Sequence, residues 1–114
     1  MVKTDLDLTA LVRRYVYALE AQGVPVEQII AYGSCVRGEM REDSDIDLAV
    51  FSEAFGPPDY RELSGVLSRA KREVEPMIEA IGYHPSELQR VKPISFLGEI
   101  VRTGRVTYRR GQSE

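Results

Sequence analysis

Cysteine and histidine are almost missing from this chain, with one of each in 114 residues. The lone cysteine excludes an internal disulfide. A basic excess is missing too: fifteen Lys and Arg stand against eighteen Asp and Glu, a formal net charge of -3. That balance argues against a general nucleic-acid binder and leaves room only for a local basic patch. No apolar run approaches the roughly twenty residues needed to span a bilayer, and no secretory start is visible. Internal repeats, low-complexity stretches and long linkers are also lacking. Together these absences point to a cytoplasmic protein of one domain spanning residues 1–114, with 109–114 expected to fray. A hydrophobic content of 43% over 114 residues supports one core and is too little for two.

What is present reads as alternating helices and strands. Leu6, Leu8, Leu11, Val12, Tyr15, Val16 and Leu19 recur at helical spacing, with Thr4 or Asp5 as the cap and Gly23 as the stop. Pro25 resets the chain before a strand over Val26 to Tyr32, and a second strand follows from Asp45 to Phe51. Gly56-Pro57-Pro58 is a break. From Asp59 to about Val74, the stripe Tyr60, Leu63, Val66, Leu67 and Ala70 predicts an amphipathic helix, with Arg61, Glu62, Arg69 and Arg72 opposite. Pro76 ends it, and Met77 to Tyr83 is read as a third strand. His84-Pro85-Ser86-Glu87 forms a turn. Ile94, Phe96, Leu97, Ile100 and Val101 give a last helix closed by Gly104, and Arg105 to Tyr108 adds a short strand.

The chemistry concentrates in residues 33 to 47, Gly-Ser-Cys-Val-Arg-Gly-Glu-Met-Arg-Glu-Asp-Ser-Asp-Ile-Asp. Side chains two apart in a strand share a face, so Asp45 and Asp47 project together from the start of the second strand. Two carboxylates side by side repel unless a cation sits between them. Hard oxygen ligands of this kind suit magnesium, which keeps several waters and binds substrate phosphates as well. Gly33 allows close backbone approach where the first strand ends. Ser34, opening a short helix over Cys35 to Met40, and Arg37 one turn on, would seat an anion; a phosphate fits. Taken singly, a glycine-serine pair or an Asp-x-Asp is an ordinary loop or a solvated strand end. The combination, with one apolar strand before the serine and another behind the aspartates, has few purely structural reasons to exist.

Two residues invite a sharper reading than they support. Cys35 follows the serine, yet no histidine lies nearby in sequence and a small apolar side chain suits the loop, so packing is the better account. His84 beside a proline turn is more often a surface or capping residue than a ligand.

The segment Ala31 to Phe51 resembles the signature of the minimal nucleotidyltransferases of the polymerase-beta-like superfamily. That resemblance implies an α/β (α+β) fold, a small mixed sheet of three to four strands flanked by helices. It implies a third acidic residue on the strand after the long helix. Glu79 is the nearest candidate by position and parity, and Glu75 the runner-up; a glutamate in place of the more usual aspartate must retract to give the same metal geometry. It also implies transfer of AMP from ATP to a hydroxyl acceptor with pyrophosphate leaving, two magnesium ions being held by Asp45, Asp47 and Glu79. Gly33, Ser34 and Arg37 are then the nucleotide-binding residues. Nothing in the chain reads the base, so ATP comes from the family.

Single-domain proteins of this kind are commonly paired with an all-helical HEPN ribonuclease toxin, and the resemblance makes this chain the antitoxin that adenylylates a tyrosine of that partner. Two alternatives stand beside it. One is a nucleotide-binding module that neutralises a partner stoichiometrically. The other is a transferase acting on a small molecule or RNA, in one form as a homo-oligomer whose interface makes the acceptor cleft.

Overall fold

A computed structural model describes residues 5–38, 44–56 and 60–111. Among the described residues, four helices, a 3-10 turn and four strands follow one another: α1 Asp5–Ala21, β1 Gln28–Tyr32, α2 Ser34–Arg37, β2 Ile46–Phe51, α3 Tyr60–Val74, β3 Ile78–Tyr83, the 3-10 turn Pro85–Gln89, α4 Phe96–Thr103 and β4 Arg105–Arg109. The expected order of elements holds, with the first three strands starting one or two residues later than read from sequence and the last starting at Arg105 as expected. Thr4, the loop residues Glu39, Met40, Arg41, Glu42 and Asp43, Pro57 and Pro58 of the expected break, and Asp59 lie outside the described residues.

The strands form one mixed sheet in the order β3-β2-β1-β4. β1 pairs antiparallel with both β2 and β4, while β2 and β3 run parallel. A parallel pair cannot be joined by a hairpin, and α3 supplies the crossover from β2 to β3. β2 is therefore central, flanked on both sides, and accordingly reads as an almost continuous apolar run in which only Asp47 is polar.

The alternation of strand side chains divides the core in two. On one face Ile46, Leu48, Val50 and Ile78 pack beneath Val12, Tyr15, Leu19 of α1 and Val66, Leu67, Ala70 of α3. Each such fully buried apolar side chain contributes roughly 1.5–3 kcal/mol. Tyr15 is 0% exposed, and its hydroxyl donates to the Leu67 carbonyl at 3.0 Å, so its one polar atom is satisfied while it ties α1 to α3. On the other face Ile30, Ala49 and Phe51 meet Leu97 and Ile100 of α4. That second layer is thin. Tyr32, at the end of β1, packs against its edge and is only partly buried.

Two glycines make close approaches that any Cβ would block. A Cβ on Gly104 would lie 2.5 Å from the Ile100 carbonyl oxygen and 2.6 Å from Ile30 Cγ2, so the end of α4 can rest directly on β1. A Cβ on Gly82 would meet the Phe55 ring at 2.9 Å. At the chain's end the expected fraying does not begin at Arg109. That residue belongs to β4, and Arg110 is tied down by its backbone N–H to the Glu27 carbonyl (2.8 Å) and its guanidinium to Glu20 (2.8 Å) and the Val26 carbonyl (3.2 Å). No helix among the described residues is long and apolar enough to cross a membrane.

Candidate active site

β1 and β2 bring the two halves of the motif together. Tyr32 is the register partner of Asp47, so Gly33 turns the chain away directly beside the carboxylate. Gly33 has φ 75 and ψ -150, a conformation open to glycine alone, and α2 starts at once behind it. Ser34 is the first residue of α2 and not its cap; Gly33 holds the cap position and no side-chain capping bond forms. The helix expected to reach Met40 is one turn long, because Gly38 takes a left-handed conformation and its N–H closes on the Ser34 carbonyl.

An open cleft of about 570 Å³ lies where these elements meet. Gly33, Ser34, Arg37, Asp45 and Asp47 all line it, together with Tyr32, Ser44, Phe96 and Glu99. Thus five of the six residues singled out from sequence converge on one concavity. Asp45 is exposed at the rim, and Asp47 is half-buried. Burial first, then repulsion from Asp45 and Glu79, pushes the Asp47 carboxyl above its ordinary value, with Arg37 pulling the other way. Burial and the Asp47 charge together push the Tyr32 hydroxyl up to about 12, so it stays protonated beside the carboxylates.

Glu79 is the residue the cleft does not gather. It stands opposite Asp47 in the parallel β2–β3 ladder and on the same face, as parity predicted. Its carboxylate is nevertheless 59% exposed on the edge strand and turns to Lys71 of α3 at 4.0 Å. No cluster of three or more His, Cys, Asp or Glu able to hold a metal occurs among the described residues. Asp45 and Asp47 still fit a divalent ion by their chemistry. They are hard oxygen donors lining one cleft, and the Asp45 and Glu79 charges, which add to burial in raising the Asp47 carboxyl, are repulsions a cation would relieve. Glu75, the runner-up, is spent locally: its carboxylate accepts the Met77 N–H at 3.2 Å.

The two residues given bland readings keep them. Cys35 is 8% exposed, its thiol donates to the Tyr32 carbonyl at 3.0 Å, and burial pushes its pKa up. That is a packing thiol, not an activated one. His84 caps the 3-10 turn: Nδ1 accepts the Ser86 N–H (3.1 Å) while the Glu87 carboxylate accepts the His84 N–H (2.9 Å).

Sequence reasoning missed Tyr32, Ser44, Phe96 and Glu99 as lining residues. Phe96 was counted with the apolar stripe of the last helix, but it is 54% exposed, and Ile94 lies outside that helix and is 96% exposed. Phe96 shares a helical face with Ile100 four residues on, so periodicity could not separate the core residue from the cleft residue.

The sequence profile of the nucleotidyltransferase domain matches residues 5–101. A crystal structure of a protein from Sulfolobus solfataricus assigned as a nucleotidyltransferase superposes with a TM-score of 0.66 at 17% identity, covering 96% of this chain and 86% of that one. A crystal structure of a toxin-antitoxin with AMP-PNP superposes with a TM-score of 0.51 at 20% identity, covering 86% of this chain and 73% of that one. No curated protein matches. At these identities the two structures establish the fold alone. The profile covers most of the chain, including both strands of the cleft, and on that ground the chain belongs to the nucleotidyltransferase domain family.

Proposed function

We propose that this protein transfers AMP from ATP, with magnesium, to a hydroxyl acceptor, and that the acceptor is a tyrosine of a HEPN ribonuclease toxin which it silences in the cytoplasm as an antitoxin. The observation that carries the transfer chemistry is the convergence of Ser34, Arg37, Asp45 and Asp47 on one open cleft. The toxin-antitoxin with AMP-PNP that shares the fold supports the choice of partner and nucleotide.

The chain's own residues divide the work by charge. Gly33 and Ser34 bring backbone and hydroxyl to the β and γ phosphates, and Arg37 adds a fixed positive charge beside them. Asp45 and Asp47 would hold the magnesium. When bound, magnesium neutralises charge on both sides of the α phosphorus and lowers the pKa of the acceptor hydroxyl. Glu79 lies one strand beyond Asp47 and joins this pair when its carboxylate leaves Lys71, a contact too long and too exposed to resist strongly. Tyr32, protonated throughout the physiological range, offers a neutral donor beside the carboxylates and adds no charge. The openness of the cleft suits an acceptor delivered on a second macromolecule.

The test is direct. The purified chain and its co-purifying partner are incubated with ATP and magnesium, and intact masses are taken, with Asp45→Asn/Asp47→Asn as control. An AMP-sized gain on the partner, absent with the double variant, is expected. A partner neutralised equally by the double variant, with no mass gain, would replace the enzyme with a stoichiometric binding module. A gain on RNA or a small molecule without the partner would change the acceptor and keep the chemistry.

A further inference from the structure

A second cavity, of about 480 Å³, lies on the same side of the sheet as the cleft. Phe96 lines both. The ring is 54% exposed although it is a large aromatic in the first turn of a helix. It meets Tyr32 edge to face, with centroids 5.8 Å apart and planes at 85°. Phe96 thus offers exposed aromatic surface between the two cavities.

We propose that this surface is the seat of the nucleobase: a nucleotide with its phosphates at Ser34 and Arg37 lays its base against Phe96, with the base edge reaching into the second cavity. The inference rests on the proposed reading of the cleft as a nucleotide site and adds to it what reads the base. Three features favour a base over any other occupant. The cavity shares the Phe96 ring with the phosphate cleft, so a single extended ligand can reach from one into the other. Its walls are mostly apolar, including Tyr83, Val91 and Leu97, and are broken by a few polar groups from Glu87, Arg90 and Lys92, as suits a ligand with apolar faces and a polar rim. Tyr83 is itself fixed by stacking on Phe51, at 5.5 Å and 20°.

The platform is also rigid. Ser95 caps α4 by accepting the Gly98 N–H at 2.9 Å and donates to the Lys92 carbonyl at 2.7 Å. A Cβ on Gly98 would overlap the carbonyl oxygens of Lys92 and Pro93, so only glycine lets the rim of the cavity press against the helix that carries Phe96. A stacking surface held in place before the ligand arrives loses little entropy on binding.

Calorimetric titration with magnesium-ATP and with inorganic tripolyphosphate tests this, using the wild type, Phe96→Ala and Phe96→Leu. Stacking of a base on an aromatic ring predicts that Phe96→Ala weakens ATP binding on the order of tenfold or more and leaves tripolyphosphate unchanged, with Phe96→Leu between them. A wild type that binds neither ligand overturns the nucleotide site, and the base seat with it. A wild type that binds tripolyphosphate as tightly as ATP, or a Phe96→Ala that loses neither or both ligands equally, overturns the base seat and leaves the phosphate cleft standing. Nuclear Overhauser contacts from adenine H8 and H2 to the Phe96 ring in the unmutated protein give the same answer without a variant: contacts support the seat, and contacts elsewhere overturn it.

Discussion

The point that a Cβ on Gly33 would occupy lies 2.6 Å from Oδ2 of Asp47. Glycine at that position does two things: it accepts a φ of 75, and it lets the turn close over the carboxylate that the cleft is built around. Gly33→Ala therefore strains the backbone and displaces Asp47 in one step. The expected result is a loss of transfer activity on the order of 100-fold, the scale of a 1 Å misplacement, with about 1 kcal/mol of stability lost. Single-turnover kinetics and urea denaturation of the variant check it.

Asp47 is held at a cost to the fold. Its folded pKa lies above the unfolded value near 3.8, so the folded state binds more protons across that interval and stability declines as pH rises through it. Asp47→Asn removes that decline. The variant should be less active yet more stable than wild type above the carboxylate range, with the difference vanishing below it. Magnesium should raise the wild-type melting temperature at neutral pH and leave the variant's unchanged. Denaturation curves across pH, with and without magnesium, decide both points.

Glu79 and Glu75 separate cleanly by substitution. Glu79→Gln breaks only an exposed contact at 4.0 Å, worth little to the fold, and removes the carboxylate beside Asp47. A fall in kcat of roughly 10- to 100-fold without a change in melting temperature is expected from the loss of a positioned charge. Glu75→Gln keeps an acceptor for the Met77 N–H and should leave kcat unchanged.

Cys35 supplies a control on mechanism. Its buried, elevated thiol should react slowly with iodoacetamide in the native protein and readily in urea. Cys35→Ala leaves a small cavity and one lost weak hydrogen bond. About 1 kcal/mol of stability should go, with activity retained. Loss of activity at full folding would instead make the thiol part of the chemistry.

How much could be read without coordinates follows from the range of each interaction. Helical and strand periodicity is local, so α1, β1, β2, α3, β3 and α4 were legible to within a few residues from Leu8, Val12, Leu19 or Leu67 and Ala70. The motif was legible as well. Gly33, Ser34, Arg37, Asp45 and Asp47 stood out because their spacing joins a turn to a strand carrying paired carboxylates, and the five line one cleft. Three matters waited for the tertiary structure. The sheet order put β3 at an edge, which exposed Glu79 and gave it Lys71 as a neighbour across the fold. The pairing of β4 with β1, with Arg110 reaching Glu20 across 90 residues, anchored Arg109 and Arg110, which looked too polar to hold. And Phe96, indistinguishable from core by its spacing with Ile100, became a cleft residue because it opens α4 at the end of the sheet, beside Tyr32. Periodicity states which residues turn the same way; only packing decides whether anything lies there to meet them.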